Sequence, residues 1–267
     1  MAVSATPVAL IDLLRSAGFI AAQEDAHELL RHADGDEELL ALLVARRLTG
    51  EPLAWIVGRA AFGDVEVRVD RGVYVPRRQS EHLARRAIER LPESGAAIDL
   101  CTGSGAIAKA LLSARPSSRV VASDIDEGAV ACAVANGVEA YHGDLFAPLP
   151  ITLVGRVDVV VGVAPYVPTP ALALLQRDTF VFETTLSYDG GVDGTAILRR
   201  VLTDARQFLR RGGALVIELG GDQAGALEGD LSRLGYVDID VLRDEEGDPR
   251  AIEATYAGRT AATPYAP

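Results

Sequence analysis

The 267-residue chain predicts an α/β fold: a seven-stranded, mostly parallel sheet with a C-terminal antiparallel hairpin, preceded by a small N-terminal helical domain. Three observations carry that expectation. From about Ser80 onward, short apolar runs at 97–100, 119–123, 137–141, 157–161 and 214–219 alternate with helical stretches, which implies right-handed crossovers and a parallel sheet. Before Ser80 the apolar residues recur every third or fourth position, the period of an α-helix. Near the end, two β-rich segments at 235–242 and 250–256 flank the turn-forming DEEGDP, the pattern of a hairpin closing one sheet edge.

In chain order, residues 1–50 form a helical cap, carried by Val8, Ile11 and Leu14, then Ala26, Leu29 and Leu30, then Leu39, Leu40, Leu43, Val44 and Leu48. Residues 51–79 form a β-hairpin linker, with β-like runs at 55–57, 65–69 and 73–75 broken by Gly58, Gly63 and Gly72. Residues 80–267 form the sheet domain. Apolar residues make up 49% of the chain, enough for a packed core. The formal net charge is -12, and of the 26 basic residues only Lys109 is a lysine. That balance argues against nucleic acid and other polyanions as partners. Cys101 and Cys132 lie in one unit and suggest no disulfide scaffold, which fits a reducing cytoplasm. No cationic leader with a long apolar run opens the chain, and no stretch approaches a membrane span, so no membrane partner is expected. Monomer and homodimer both stay open, and no metal is expected.

The chemistry begins in the loop Asp99-Leu-Cys-Thr-Gly103-Ser-Gly105, directly after an apolar strand and directly before a helix at 106–114. Glycines there let the backbone approach a ligand closely, and a helix N-terminus favours a carboxylate or phosphate. Asp124 ends the next strand, where an acidic side chain can accept hydrogen bonds from two ribose hydroxyls. Asp99, Asp124, Asp126 and Glu127 crowd the mouth with negative charge, so a nucleoside bearing a cationic sulfonium fits better than a dinucleotide. The third strand ends in His142-Gly143-Asp144-Leu145-Phe146, with a carboxylate where an adenine amino group would sit. The fourth, Val-rich strand ends in Gly162 and delivers Val163-Ala164-Pro165-Tyr166, a rigid turn at the end of the sheet where ligands bind.

With these motifs the chain resembles the HemK-type family of protein-glutamine methyltransferases over nearly its whole length. Arg47, the run Thr49-Gly-Glu-Pro-Leu-Ala-Trp-Ile-Val-Gly58 and Phe62 are similar to the family's cap-to-hairpin segment. Val75-Pro-Arg-Arg-Gln-Ser-Glu81 resembles its Ile-Pro-Arg-Pro-Glu-Thr-Glu. DLCTGSG, SDID, GDLF and Tyr188-Asp-Gly-Gly-Val-Asp-Gly194 match in order and spacing. The resemblance implies a Rossmann-like class I methyltransferase that uses S-adenosylmethionine and releases S-adenosylhomocysteine. It implies donor contacts from Asp99, Thr102, Gly103, Gly105, Asp124, Ile125, Asp144, Leu145 and Val163. Acceptor contacts would come from Trp55, Arg77, Val163, Pro165, Tyr166, Glu183 and Tyr188. Four departures stand out: Val163 for Asn and Ala164 for Pro in the family's Asn-Pro-Pro-Tyr, Arg78 for Pro, and Thr184 for Pro after Glu183.

Those departures bear on the acceptor. An Asn side chain can donate to and accept from a substrate amide, whereas a valine can do neither. The sequence therefore favours a small-molecule acceptor, an aromatic such as an indole methylated at carbon in specialised metabolism, against the apolar wall of Val163 and Ala164. Tyr166 and His142 are then the candidate catalytic groups. His142 has a second reading, a strand-end histidine making one backbone hydrogen bond. Two alternatives stay open: methylation of the glutamine amide of peptide release factors, using the Val163 backbone carbonyl alone, and a non-catalytic S-adenosylmethionine-binding protein.

Overall fold

The computed structural model describes residues 6–174 and 182–258, so the outermost residues of the expected cap and sheet domain lie outside the described residues. Helices α1 (Pro7–Ser16), α2 (Ala22–Ala33) and α3 (Glu37–Leu48) come first, then a short α4 (Leu53–Val57). Pro7 opens α1, where its missing N–H costs nothing, and the Asp36 carboxylate caps α3 by accepting from the Leu39 amide at 2.9 Å. These helices bury a cluster of their own, in which Leu10, Leu14, Leu29, Leu43 and Val44 meet Ile56 and Val57 of α4.

The run at 55–57 is helical, against its β-like composition. Ala54 and Trp55 pack on the core beneath the sheet while Ile56 and Val57 pack on the cap cluster. Two adjacent residues facing one way and the next two another is a helical distribution, which an alternating strand cannot make. The hairpin follows as β1 (Arg59–Phe62) and β2 (Val65–Arg68), turning at Gly63. The run at 73–75 forms no strand. Two of its backbone groups pair with side chains instead: the Trp55 indole donates to the Val73 carbonyl at 2.8 Å, and the Val75 amide donates to Glu183 Oε1 at 2.9 Å.

The large sheet is built from β3 (Ala96–Leu100), β4 (Arg119–Asp124), β5 (Glu139–His142), β6 (Val157–Gly162), β7 (Leu209–Glu218), β8 (Tyr236–Arg243) and β9 (Pro249–Tyr256). Its order is β5-β4-β3-β6-β7-β9-β8, parallel from β5 to β7 and antiparallel at β7–β9 and β8–β9. The helices are α5 (Ser80–Arg90), α6 (Ala106–Ala114), α7 (Glu127–Ala135), α8 (Ala196–Phe208) and α9 (Gln223–Arg233). Alternate strand residues feed two cores: Ile98, Leu100, Val160, Leu215 and Ile217 on one face, Ala97, Val159, Val161 and Val216 on the other. This is the Rossmann-like arrangement that the strand and helix alternation predicts. The chain enters at β3, runs outward to β5, then returns to β6 on the other side of β3. That reversal opens a crevice at the C-terminal ends of β3 and β6. β6 approaches β3 closely because Gly162 lacks a side chain; a Cβ there would lie 2.8 Å from the Leu100 carbonyl oxygen.

Candidate cofactor and acceptor site

The loop after β3 is shaped by residues in the left-handed region, Cys101 at φ 53°, Gly103 at φ 56° and Gly105 at φ 80°. Asp124 holds it: Oδ2 accepts from the Gly103 amide at 2.8 Å and Oδ1 from the Asp126 amide at 2.9 Å. Asp99, 1% exposed, turns beneath the loop. Its Oδ2 accepts from the Thr102 hydroxyl at 2.6 Å and the Ala108 amide at 3.2 Å, while its buried Oδ1 has no partner among the described residues. Burial pushes the Asp99 carboxyl up to about 7; the Thr102 and Ala108 hydrogen bonds oppose this, and the neighbouring Asp124 charge adds to it. Burial likewise raises Asp124. A buried, orphaned carboxylate oxygen beside a second carboxylate is a fit for a cation, and the sulfonium and ammonium of S-adenosylmethionine supply one.

A pocket opens above the loop. Of the residues expected from sequence, Asp99, Thr102, Gly103, Asp124, Ile125, Arg77, Val163 and Pro165 line it together. Tyr74, Pro76, Ser80, Thr184 and Leu186 are among the other residues of its wall. Val163 brings an aliphatic side chain to the end of β6.

The remaining expected residues lie elsewhere. Gly105 is the residue before α6, and its missing side chain serves packing, since a Cβ would come within 3.1 Å of Ala133 and Val138. Asp144 forms an exposed ion pair with Arg200 at 2.5 Å, and Leu145, at φ 48°, turns inward to the core. The exposed His142 ring does not reach the pocket; its Nε2 lies 3.0 Å from the Ile125 carbonyl oxygen, the backbone bond of the second reading. Trp55 supports the 69–79 arm through Val73 and meets Phe182 edge-on at 6.3 Å. Glu183, 5% exposed, accepts from Arg77, the Tyr188 hydroxyl and the Val75 amide. Glu183 and Tyr188 thus tie the segment that carries Thr184 and Leu186 to the arm, and Arg77 stacks over Tyr74 at 4.9 Å. Tyr166 is not among the pocket-lining residues, and its hydroxyl donates to Glu218 at 3.0 Å. The sequence marks no role for Glu218. Its one signal is an acid directly closing the apolar run at 214–217.

No protein-family model matches the chain. Individual relatives do. The chain is 36% identical over 224 residues to the release factor glutamine methyltransferase of Geobacter sulfurreducens, covering 81% of this chain and 78% of that one. It is 34% identical over 270 residues to the protein of the same name from Mycolicibacterium smegmatis, covering 92% and 95%. Among solved structures, the catalytic domain of human Mettl16 superposes with a TM-score of 0.57 at 14% identity, covering 83% of this chain and 84% of that one. The ribosomal protein L11 methylase of Lactobacillus delbrueckii subsp. bulgaricus superposes with a TM-score of 0.51 at 19% identity, covering 73% and 86%. At those identities the structures attest the fold alone. The sequence relatives overturn the expectation of a small aromatic acceptor: proteins alike over both the helical segment and the sheet are named for glutamine in a release factor, and four departures, Val163 and Ala164 of the Pro-Tyr turn among them, do not outweigh that extent. An S-adenosylmethionine-dependent methyltransferase by its relatives, the chain belongs to the family of release factor glutamine methyltransferases.

Proposed function

We infer that the protein transfers the methyl group of S-adenosylmethionine to the side-chain amide nitrogen of a glutamine in a peptide release factor, in the cytoplasm, with S-adenosylhomocysteine as product. The observation that carries this reading is the 34% identity spanning 92% of this chain and 95% of a release factor glutamine methyltransferase. The donor supplies a methyl group already activated on a sulfonium, so the protein's work is to hold donor and acceptor in line and dry. Asp99 and Asp124 meet the donor's positive charge and ribose in this reading, and Gly103 lets the backbone come close. Val163 offers the amide no side-chain partner. The main-chain carbonyl at the end of β6 therefore accepts from the amide N–H, while Pro165 and Tyr74 wall the site.

The test uses donor labelled in the methyl group, the intact protein and a purified release factor. Label on a glutamine side chain of the release factor is the expected result. Release factor left unlabelled, while another acceptor takes up the methyl group, would overturn the reading.

Donor binding should depend on pH through Asp99. Because its pKa is raised to about 7, the carboxyl is neutral below that value and charged above it. In the ligand-free protein this raised value makes stability fall as pH rises from the ordinary carboxylate range through about 7. A bound cation favours the charged form and offsets the loss. The gain in melting temperature on adding S-adenosylmethionine is thus expected to grow between pH 6 and pH 8, with affinity weakening up to about tenfold per unit below the Asp99 value. Thermal melts with and without donor check this; a gain independent of pH would show that Asp99 does not meet the donor's charge.

A further inference from the structure

One buried acid beside the pocket has no part in the chemistry described so far. Glu218, the last residue of β7, is 3% exposed. Its Oε2 accepts from the Ser80 hydroxyl at 2.5 Å, and its Oε1 accepts from the Tyr166 hydroxyl at 3.0 Å and the Gln79 side-chain amide at 3.1 Å. All three partners on its two oxygens are neutral side chains. Neutral donors offset the desolvation of a buried anion only in part, and core packing alone would be served by an uncharged side chain.

Ser80 connects this anion to the pocket. It opens α5, is itself 4% exposed, and borders the pocket beside Pro76 and Arg77. With its proton committed to Glu218, the Ser80 oxygen has only lone pairs to offer toward the pocket. Gln79 also donates to the Tyr166 hydroxyl oxygen at 3.3 Å, so Tyr166 and Gln79 steady the far carboxylate oxygen and leave the near one to Ser80.

We propose that Ser80 and Glu218 form a proton relay that clears the proton from the methylated nitrogen, with Ser80 touching the acceptor and Glu218 acting through it. The relay rests on the reading of an acceptor that carries an N–H, as a glutamine amide does. The amide nitrogen forms its bond to the methyl carbon with its own electron pair as the bond from that carbon to sulfur breaks toward sulfur. Positive charge thereby passes from sulfur to nitrogen, and the N–H becomes strongly acidic. Its proton moves to the Ser80 oxygen while the Ser80 proton moves to Glu218 Oε2. The balance is an N-methyl amide, S-adenosylhomocysteine and a neutral Glu218, which returns its proton to water after product leaves. The same buried charge stabilises the positive charge developing at nitrogen. A carboxylate is base enough, because the protonated amide is a far stronger acid than any carboxylic acid.

The test is single-turnover methyl transfer at saturating donor and acceptor, with KM, donor affinity and melting temperature measured alongside. Ser80→Ala and Glu218→Gln should each slow transfer about a hundredfold while donor affinity stays within about twofold. The double variant should be no slower than the slower single one, since each breaks the same relay. Ser80→Thr, which keeps the hydroxyl, should recover most of what Ser80→Ala loses. A purely structural role predicts losses shared among KM, donor affinity and melting temperature, and effects that add in the double variant. That pattern, or Glu218→Gln transferring within about threefold of wild type, would overturn the relay. Wild type that labels no release factor counts against the acceptor reading alone, and the comparison is then run on whichever N–H acceptor it does label; variants as fast as a working wild type count against the relay.

Discussion

Arg77→Met is expected to destabilise the protein by about 3–5 kcal/mol, because it leaves the Glu183 carboxylate buried without its cation. The Glu183 side chain is 1% exposed and that of Arg77 33%, so the acid cannot turn to water when its partner goes. Among the described residues, the Tyr188 hydroxyl and the Val75 amide would remain on it. The consequence reaches the site, since this carboxylate ties the segment with Thr184 and Leu186 to the arm that carries Tyr74 and Pro76, and all four line the pocket. Turnover should therefore fall with stability. Urea unfolding measures the first effect, and Arg77→Met with Glu183→Gln supplies the control: removing both charges should recover about half of the loss. A single variant within about 1 kcal/mol of wild type would show that the pair is not what holds the segment.

Gly194→Ala should be of similar size, about 3–4 kcal/mol, by a different route. Gly194 sits at φ 74°, and a Cβ there would overlap the Tyr166 carbonyl oxygen and the Gln223 side-chain nitrogen. Those two atoms are themselves bonded at 2.6 Å, so alanine must part them and shift the Pro-Tyr turn away from Glu218. Gly221→Ala is the matched control. Its φ is 54° but a Cβ there meets nothing within 4 Å, so it should cost only about 1 kcal/mol of backbone strain. Equal melting temperatures for the two variants would contradict the close packing behind Tyr166.

The α6 range, 106–114, is legible residue by residue in the sequence, because a glycine-rich turn starts it and apolar spacing sustains it. The loop and Asp124 are equally legible: a glycine run after an apolar strand and an acid at the end of the next need only local order and sheet topology. The misplaced elements are those whose partners are distant. Trp55, Ile56 and Val57 are good strand formers, but Ala54 and Trp55 meet one core while Ile56 and Val57 meet another, and a helical turn satisfies both pairs where a strand would not. His142 ends its strand as expected, yet the direction of its ring depends on where the Ile125 carbonyl lies.

Periodicity, turn residues and the order of strands and helices, all readable over a few residues at a time, determined the α/β architecture and the glycine loop after β3, and the matching motifs carried the resemblance to the family. Only the tertiary structure decided which polar groups share a site. Glu183 reaches the arm across 108 residues of sequence and Glu218 reaches Ser80 across 138. Nothing local marks either pair, because each acid is satisfied only after the sheet has closed and water has left, and at that point its partner is whichever donor the packing brings within hydrogen-bonding distance.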